Sequence, residues 1–468
     1  MTRHVLLLRE TQLAEIRTHF AGAGEKEAAG YLSCGLNSCA SDMWDRASVT
    51  KFLARKFFPI SVESASDQHV TWKTDSFIHA LHDARIEDET VALVHSHPSN
   101  FASFSAQDDQ NERDLADLAQ RRNGTASVLV SIVMLPNGAL FGRVWKNPGR
   151  ADPVDLIIVT GRRFTLHYAN RGSGKSPEFL NRQALALGPA FNEDLSHLRI
   201  GVVGCGGTGS ATAGLLTRLG TKYLALFDKD AVHQTNLNRL HFAGRTDAEM
   251  ERYKVHVVAD GIDAMGLGTQ VKAYDHWISS IECREPLKCC DIIFGCTDDN
   301  VGRLFLNRFA YFYNVPLIDM GLAIDVGHGD PPRVNAFDGR VTVIQPGAAC
   351  LLCREIISPI RARQESLKRT NPEEYERQKT EAYVLGEGNP SPAVVPFTTG
   401  LAAMAVEELI HRLQGLRGPN GSIEQRLRKF HLMTDRRQSH QPSADCPICG
   451  SQQYWNRGDI DPFLDITA

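Results

Sequence analysis

Residues 198–228 constrain the fold more than any other stretch: the apolar run LRIGVVG gives way to CGGTGS, then to ATAGLLTRLG, then to YLALFD. Strand, glycine turn, helix and second strand make a βαβ unit, and its parallel strands require a crossover and a sheet covered on both faces. The pattern predicts a doubly wound, Rossmann-like α/β domain. Gly204, Gly206, Gly207 and Gly209 would form a tight turn at a helix N-terminus, where phosphates can approach backbone N–H groups. Asp228 ends the second strand 19 residues after Gly209, the spacing of dinucleotide sites.

The residues beyond that unit point away from a dinucleotide. Asp230 is followed by HQTNLNRL, which holds Asn236, Asn238 and Arg239; Lys254 comes next, and Thr297-Asp298-Asp299-Asn300 succeeds the apolar run DIIFGC. Hydride transfer needs no such cluster. A carboxylate attacking the α-phosphorus of ATP does need one, with cations for the triphosphate and an acid for magnesium so that pyrophosphate can leave. The fragment GSGKS at 172–176 is not a P-loop, because Ala169 stands where its first glycine belongs.

A second constellation lies upstream. The apolar VALV runs into His95-Ser96-His97-Pro98. In an extended chain residues i and i+2 share a face, so both imidazoles can reach one metal. Asp108, eleven residues after His97, adds a carboxylate from the start of the next helix-compatible stretch. Three such ligands suit zinc and leave a position for water, the mark of a catalytic site. An acid outside the ligand set must take the water's proton. Glu27, in GEKEAAGYLSCG, is the candidate, with Glu25 as a lesser alternative.

Cysteines form a third group. Cys350-Leu-Leu-Cys353 and Cys446-Pro-Ile-Cys449 have the spacing that lets two thiolates share one ion, and two pairs complete a closed structural zinc site. The chain has eleven cysteines, and the remaining seven read as small buried residues. With 51 Lys plus Arg against 55 Asp plus Glu, no global basic field argues for nucleic acid or an anionic membrane. MTRHVLLLRE carries too short an apolar run for a signal peptide, and no 18-residue apolar run occurs, so a cytoplasmic protein is the expectation.

The residues Glu27, HxHP at 95–98 and SxxD at 105–108 resemble the JAMM (JAB/MPN) metalloprotease family over roughly residues 1–165. That resemblance implies an α+β domain with His95, His97 and Asp108 as zinc ligands, Glu27 as general base and Ser105 as a hydrogen-bond donor to the oxyanion. It also favours Glu27 over Glu25, since residues 27–32 reproduce the family's ExxGxL. The glycine loop, Asp228-Lys-Asp230, NLNR, Lys254 and TDD resemble the ThiF/ubiquitin-activating superfamily over roughly residues 178–450. The resemblance implies ATP, magnesium and zinc as cofactors. It places Asp228 on the ribose beside its partner acid Asp230, sets Asn236, Arg239 and Lys254 on the phosphates, and gives magnesium to Asp298. Asn181-Arg182-Gln183 matches the family segment whose arginine reaches the neighbouring protomer's ATP, which implies a homodimer. Leu240 and Asp299 depart from the family's usual Gln and Asn, and Asp299 could add a metal contact.

The expected organisation is a JAB/MPN-like domain at 1–168, a linker at 169–178 and an adenylyltransferase domain at 179–468. Its crossover segment, 354–397, is so charged that it reads as mobile, and it contains no cysteine. The thioester of related enzymes would therefore form elsewhere, although an oxyester on Ser391 is conceivable. The expected activity is adenylylation of the C-terminus of a ubiquitin-like protein, joined to zinc-dependent isopeptidase processing in a prokaryotic-style conjugation pathway with a conjugating enzyme. Alternatives are activation of a sulfur-carrier protein with a sulfur donor, and a non-enzymatic scaffold.

Overall fold

A computed structural model describes residues 2–66, 70–170, 176–327, 333–380 and 392–460. The chain divides into two compact units. Of the described residues, the first contains those within 2–170, 312–314 and 454–460, and the second contains those within 176–311 and 315–453.

The first unit runs β1 (Thr2–Arg9), α1 (Glu10–Ala21), β2 (Ala29–Cys39), β3 (Ser48–Pro59), β4 (Val62–Ala65), β5 (Val70–Trp72), α2 (Thr74–Ile86), β6 (Thr90–Ser96), α3 (Ala106–Asn123), β7 (Leu129–Met134), β8 (Leu140–Asn147), β9 (Arg150–Pro153), β10 (Leu156–Thr160) and β11 (Thr165–Tyr168). Nine strands form one sheet in the order β11-β10-β1-β3-β2-β6-β7-β8-β9, and β4 pairs with β5 separately. Side-chain alternation splits the core into two layers. Leu32, Ala92 and Val94 join Leu13, Ile16 and Phe20 of α1 on one face. Tyr31, Val91 and Leu93 join Phe77 and Leu81 of α2 and Ala116 and Ala119 of α3 on the other.

Whereas the sequence reading ran the second domain to residue 468, residues 454–460 belong to the first unit. The reason is an open edge. Strand β6 pairs with β2 only as far as Cys34, which leaves the edge at residues 35–39 without that neighbour. The later segment fills it: Leu36 bridges Gly458, Asp459 N donates to Leu36 O at 2.6 Å, and Ser38 N donates to an Asp459 carboxylate oxygen at 2.7 Å. A Cβ on Gly35 would lie 2.0 Å from Asn456 O, so only glycine admits this approach.

The second unit runs α4 (Asn181–Leu187), α5 (Pro189–His197), β12 (Arg199–Val203), α6 (Gly207–Arg218), β13 (Tyr223–Phe227), α7 (Arg245–Glu249), α8 (Lys254–Asp263), β14 (Gln270–Tyr274), α9 (Ile281–Cys289), β15 (Ile292–Gly295), α10 (Asn300–Tyr313, ending in the first unit), β16 (Leu317–Gly327), β17 (Arg333–Ile344), α11 (Pro359–Thr370), α12 (Pro372–Thr380), α13 (Val395–Gln414), β18 (Gln425–Lys429) and β19 (Thr434–Gln438). Its sheet order is β14-β13-β12-β15-β16-β17-β18-β19, parallel through β16 and antiparallel beyond it. The order reverses between β13 and β15 around β12, the switch point outside whose carboxyl ends doubly wound sheets bind ligands.

The crossover contains two helices that the sequence reading did not place: α11 and α12 occupy most of its described residues. Arg377 pairs with Glu374 at 2.7 Å and Lys379 with Glu376 at 3.5 Å, contacts that help helices with little core. Ala362 and Tyr375 provide what burial there is. Ser391 lies outside the described residues. Among those residues, no helix is long and apolar enough to cross a membrane.

Candidate functional site

In the first unit, parallel pairing of β6 with β7 and the antiparallel register of Ala29 opposite His95 fix the end of β6 in the middle of the sheet. His95 and His97 are both buried. His95 Nε2 lies 3.1 Å from His97 Nε2 and 3.3 Å from Asp108 Oδ1, and His97 Nε2 lies 3.5 Å from Asp108 Oδ2. A tetrahedron with bonds of roughly 2.0–2.1 Å has edges of about 3.4 Å, so the three donors fit a zinc ion. His97 Nδ1 meets Phe101 O at 2.8 Å, and this contact assigns the ring proton to Nδ1 and leaves Nε2 for metal.

Asp108 sits in the first turn of α3, and Ser105 is the N-cap. The Ser105 hydroxyl accepts from Asp108 N at 3.1 Å and donates to Asp108 Oδ2 at 2.8 Å. A serine has one O–H proton, and here the carboxylate holds it, not an oxyanion. The neighbouring imidazoles overcome the penalty of burial and hold Asp108 well below the usual carboxylate range. Burial pulls His97 down, but its hydrogen bonds to Asp108 and Phe101 and the charges of Asp108 and Glu27 together outweigh it, and the imidazole ends above its ordinary value. Glu27 is buried just before β2, its backbone N–H bonded to Ser66 O at 2.7 Å. With His95 and Asp108 it lines a cavity of about 10 Å³, the scale of one water molecule.

The sequence reading missed what holds α3 in place. Glu112, one turn beyond Asp108 and buried, accepts from Ser131 Oγ at 2.6 Å, Arg143 Nε at 2.7 Å and Trp145 Nε1 at 2.7 Å. These partners lie on β7 and β8, so the network sets the height of the helix that carries Asp108. The local sign of it was slight: Leu115 and Ala116 follow Glu112 at i+3 and i+4, but Asp108 and Asp109 precede it on the same face.

In the second unit, a cavity of about 330 Å³ opens at the carboxyl ends of the strands. Gly204, Gly206, Gly207, Asp228, Asp230, Asn236, Arg239, Lys254 and Asp298 all line it. Gly204 has φ +89°, and a Cβ on Gly209 would lie 1.8 Å from Gly204 O, so the turn closes only with glycine at both positions. Asp228 accepts from Cys205 N at 2.6 Å and Asp230 N at 2.9 Å, and burial still leaves its carboxyl above the ordinary value. A bridge between Ala231 and Tyr253 brings Lys254 alongside, where its Nζ pairs with Asp230 at 2.9 Å. Burial lowers the Lys254 pKa, but Asp228 and Asp230 outweigh it and the ammonium is held above its usual value. Arg239 lies across Gly207 and donates to Thr235 O at 2.7 Å and Asn238 Oδ1 at 3.0 Å.

Asp298 is exposed at the cavity, whereas Asp299 is committed elsewhere: Thr297 Oγ1 and Gly302 N both donate to its carboxylate at the start of α10. This corrects the idea of a second metal contact from Asp299, because its oxygens serve as a helix cap. Glu365 of α11 accepts from Asn300 N at 2.7 Å and Val301 N at 3.0 Å, which fastens the crossover to the same helix start. Arg303, His276 and Trp277 also line the cavity and were missed. Arg303 donates to Met320 O at 3.1 Å and lies 3.5 Å from the buried Asp319. Arg182 is exposed on α4 and is not among the residues lining its own chain's cavity. Burial raises the Cys205 and Cys296 thiols, which makes both poor nucleophiles.

Cys350, Cys353, Cys446 and Cys449 converge within one metal's reach. Cys350 Sγ is 3.6 Å from Cys446 Sγ and Cys353 Sγ is 3.3 Å from Cys449 Sγ, near the edge of about 3.8 Å for a tetrahedron of Zn–S bonds of ~2.3 Å.

Comparison with known proteins bears on both units. The ThiF family matches residues 180–450, and prokaryotic homologues of the JAB domain match residues 9–147. The chain belongs to the ThiF family and carries a JAB-type domain ahead of it. It is 28% identical over 174 residues to ubiquitin-like modifier-activating enzyme 5 of Drosophila ananassae and 26% identical over 174 residues to that of Dictyostelium discoideum. Each match covers 34% of this chain and 41% or 42% of the relative, so the chain spans less than half the length of these curated proteins. The solved structure of E. coli MccB with ATP is 18% identical with a TM-score of 0.45, covering 58% of this chain and 75% of that one.

Proposed function

We propose that the second unit adenylylates the C-terminal carboxylate of a ubiquitin-like protein and that the first unit is a zinc-dependent peptidase acting on the same protein or its conjugates. The observation that carries the first half is the cavity lined at once by the glycine turn, Asp228, Asn236, Arg239, Lys254 and Asp298. There a substrate carboxylate oxygen forms a bond to the α-phosphorus of ATP while the bond to the β-phosphate oxygen breaks and pyrophosphate leaves. Lys254 and Arg239 offset the triphosphate charge, and Asp298 would hold magnesium. Asp228, ionised, accepts from the ribose hydroxyls. Arg182, outside its own cavity, would serve the second protomer of a homodimer.

For the first half of the chain, His95, His97 and Asp108 would hold zinc, which supplies Lewis acidity and acidifies bound water. Glu27 takes the water's proton and returns it to the leaving amine. Ser105 reaches an oxyanion by turning its hydroxyl from Asp108. The four cysteines would hold a structural zinc.

The test is ATP–pyrophosphate exchange dependent on a ubiquitin-like protein, lost in Asp298→Ala, together with cleavage of a fusion to that protein, lost in Glu27→Ala. Absence of both activities from the zinc- and magnesium-loaded wild type would overturn the reading. One observation favours transfer to another protein: segment 354–397 has no cysteine, and burial disfavours thiolates at Cys205 and Cys296. The acceptor is then the thiol of a conjugating enzyme or a sulfur donor, and mass spectrometry of the product separates thioester from thiocarboxylate.

A further inference from the structure

The sheet of the second unit ends on β19, which pairs only with β18, so one side of its backbone has no strand beside it among the described residues. Thr434, Asp435, Arg436 and Arg437 are exposed along it. An open edge presents alternating N–H and C=O groups that another extended chain can meet. This edge is also cationic: β18 and β19 carry Arg426, Arg428, Lys429, Arg436 and Arg437 against Asp435 alone, in a chain whose formal net charge is −4.

Most of that charge is already paired. Asp435 takes Arg426 at 2.6 Å and Arg428 at 3.0 Å, Glu407 of α13 takes Arg426 at 2.9 Å, and Lys429 lies 3.7 Å from Asp338 of β17. Arg436 and Arg437 have no ion-pair partner among the described residues. Arg437 stands directly opposite Arg426, and like charges in that position destabilise a strand pair. Charge on an edge strand can serve to keep other chains away, but a protective charge needs no like charge opposite it. Successive residues of a strand point to opposite faces, so Arg436 and Arg437 offer one guanidinium on each face of the sheet. A strand laid along β19 meets both only if it carries two consecutive acidic residues.

We propose that β19 is a docking edge for an extended segment of another protein that carries adjacent acidic residues and adds a strand to the sheet. The backbone of that segment pairs with β19, and its two carboxylates lie on opposite faces, one beside each arginine, where the planar guanidinium suits them. Nucleic acid fits the edge less well, since phosphates accept hydrogen bonds and donate none, leaving the carbonyls of β19 unmet. From β15 to β19 is four strand spacings, roughly 19 Å, so the docked segment leaves the nucleotide cavity open. The inference is independent of the adenylylation reading.

The test uses the full zinc-loaded chain and two octapeptides blocked at both ends: TVTEEVTV, with adjacent glutamates, and TVETEVTV, with the same composition but both glutamates on one face. Binding is followed by fluorescence anisotropy and by hydrogen–deuterium exchange. The first peptide should bind saturably and slow exchange in residues 434–438, and the second should bind about threefold more weakly, the scale of one cross-strand ion pair. Arg437→Glu gives Arg426 an acid to face, so the strand pair should stay folded while the first peptide binds about fivefold more weakly. The proposal is overturned if the first peptide fails to bind saturably, if the two peptides bind equally, or if binding leaves exchange at 434–438 unchanged. Tighter binding of an eight-nucleotide uridylate than of the first peptide also overturns it.

Discussion

The two sites solve opposite problems. In the first unit the donors of His95, His97 and Asp108 lie 3.1–3.5 Å apart around buried imidazoles, with supporting side chains behind them. In the second, Asp228, Lys254, Arg239 and Asp298 spread around a cavity of about 330 Å³, and the first three meanwhile bond to neighbours in their own chain, as Lys254 does to Asp230. A small ion has to be met by ligands already gathered, because the cost of crowding them must be met in folding. A nucleotide brings its own bulk and charge, so its site can stay open and exchange internal partners for ligand contacts.

The contrast is broken most severely at the third metal-type site, which serves neither chemistry. Cys353→Ser should abolish cooperative unfolding of the second unit, since structural zinc contributes on the order of 10 kcal/mol to small domains. Metal analysis should then find one zinc fewer while the ion of the first unit remains. Next in size, Glu27→Gln should lower peptidase turnover by about 10²–10⁴ with zinc content unchanged, and stopped assays on a ubiquitin-like fusion would show it. Asp298→Ala should lower pyrophosphate exchange by about 10²–10³ and leave peptidase activity intact, which tests whether the sites are separable. Glu112→Ala takes the acceptor from the Ser131 hydroxyl and the Trp145 N–H, while Arg143 keeps its pairing with Asp109. It should destabilise the first unit by about 2–4 kcal/mol in denaturant titrations and weaken zinc binding through the shifted α3.

The smallest effect concerns pH. Burial raises the Asp228 pKa above the ordinary aspartate value, so the neutral form, which loses acceptor capacity for the ribose, takes over at a higher pH than usual. Lys254 is shifted upward, so its cationic form persists beyond the ordinary lysine range. Exchange should therefore fall on the acid side, at a pH above 3.8, and show no alkaline limb from Lys254 below pH 10.5 in a profile of kcat/KM.

The same contrast explains what could be read from the chain. HxHP with SxxD, and the glycine turn with its acid 19 residues later, are local because each is built where one strand meets one helix. The supports are not local: Glu112 finds Arg143 and Trp145 across 31 and 33 residues, and Glu365 finds Asn300 across 65. The helices of the charged crossover went unread for a related reason, as they rest on pairs and caps and little on apolar periodicity. Asp299 was misjudged because a carboxylate beside a metal ligand and one that caps a helix look alike in sequence.

The strand edge at Leu36–Ser38 has a consequence for synthesis. A nascent chain can fold α1–α3 and the surrounding sheet once residue 170 has left the ribosome, but the segment that bridges Gly458 to Leu36 emerges only after the entire second unit has been made. Through that interval the first unit waits with Gly35 uncovered and β2 open to pairing with another chain. Stalled or truncated products that lack residues 454–460 should therefore be the species that quality-control machinery meets.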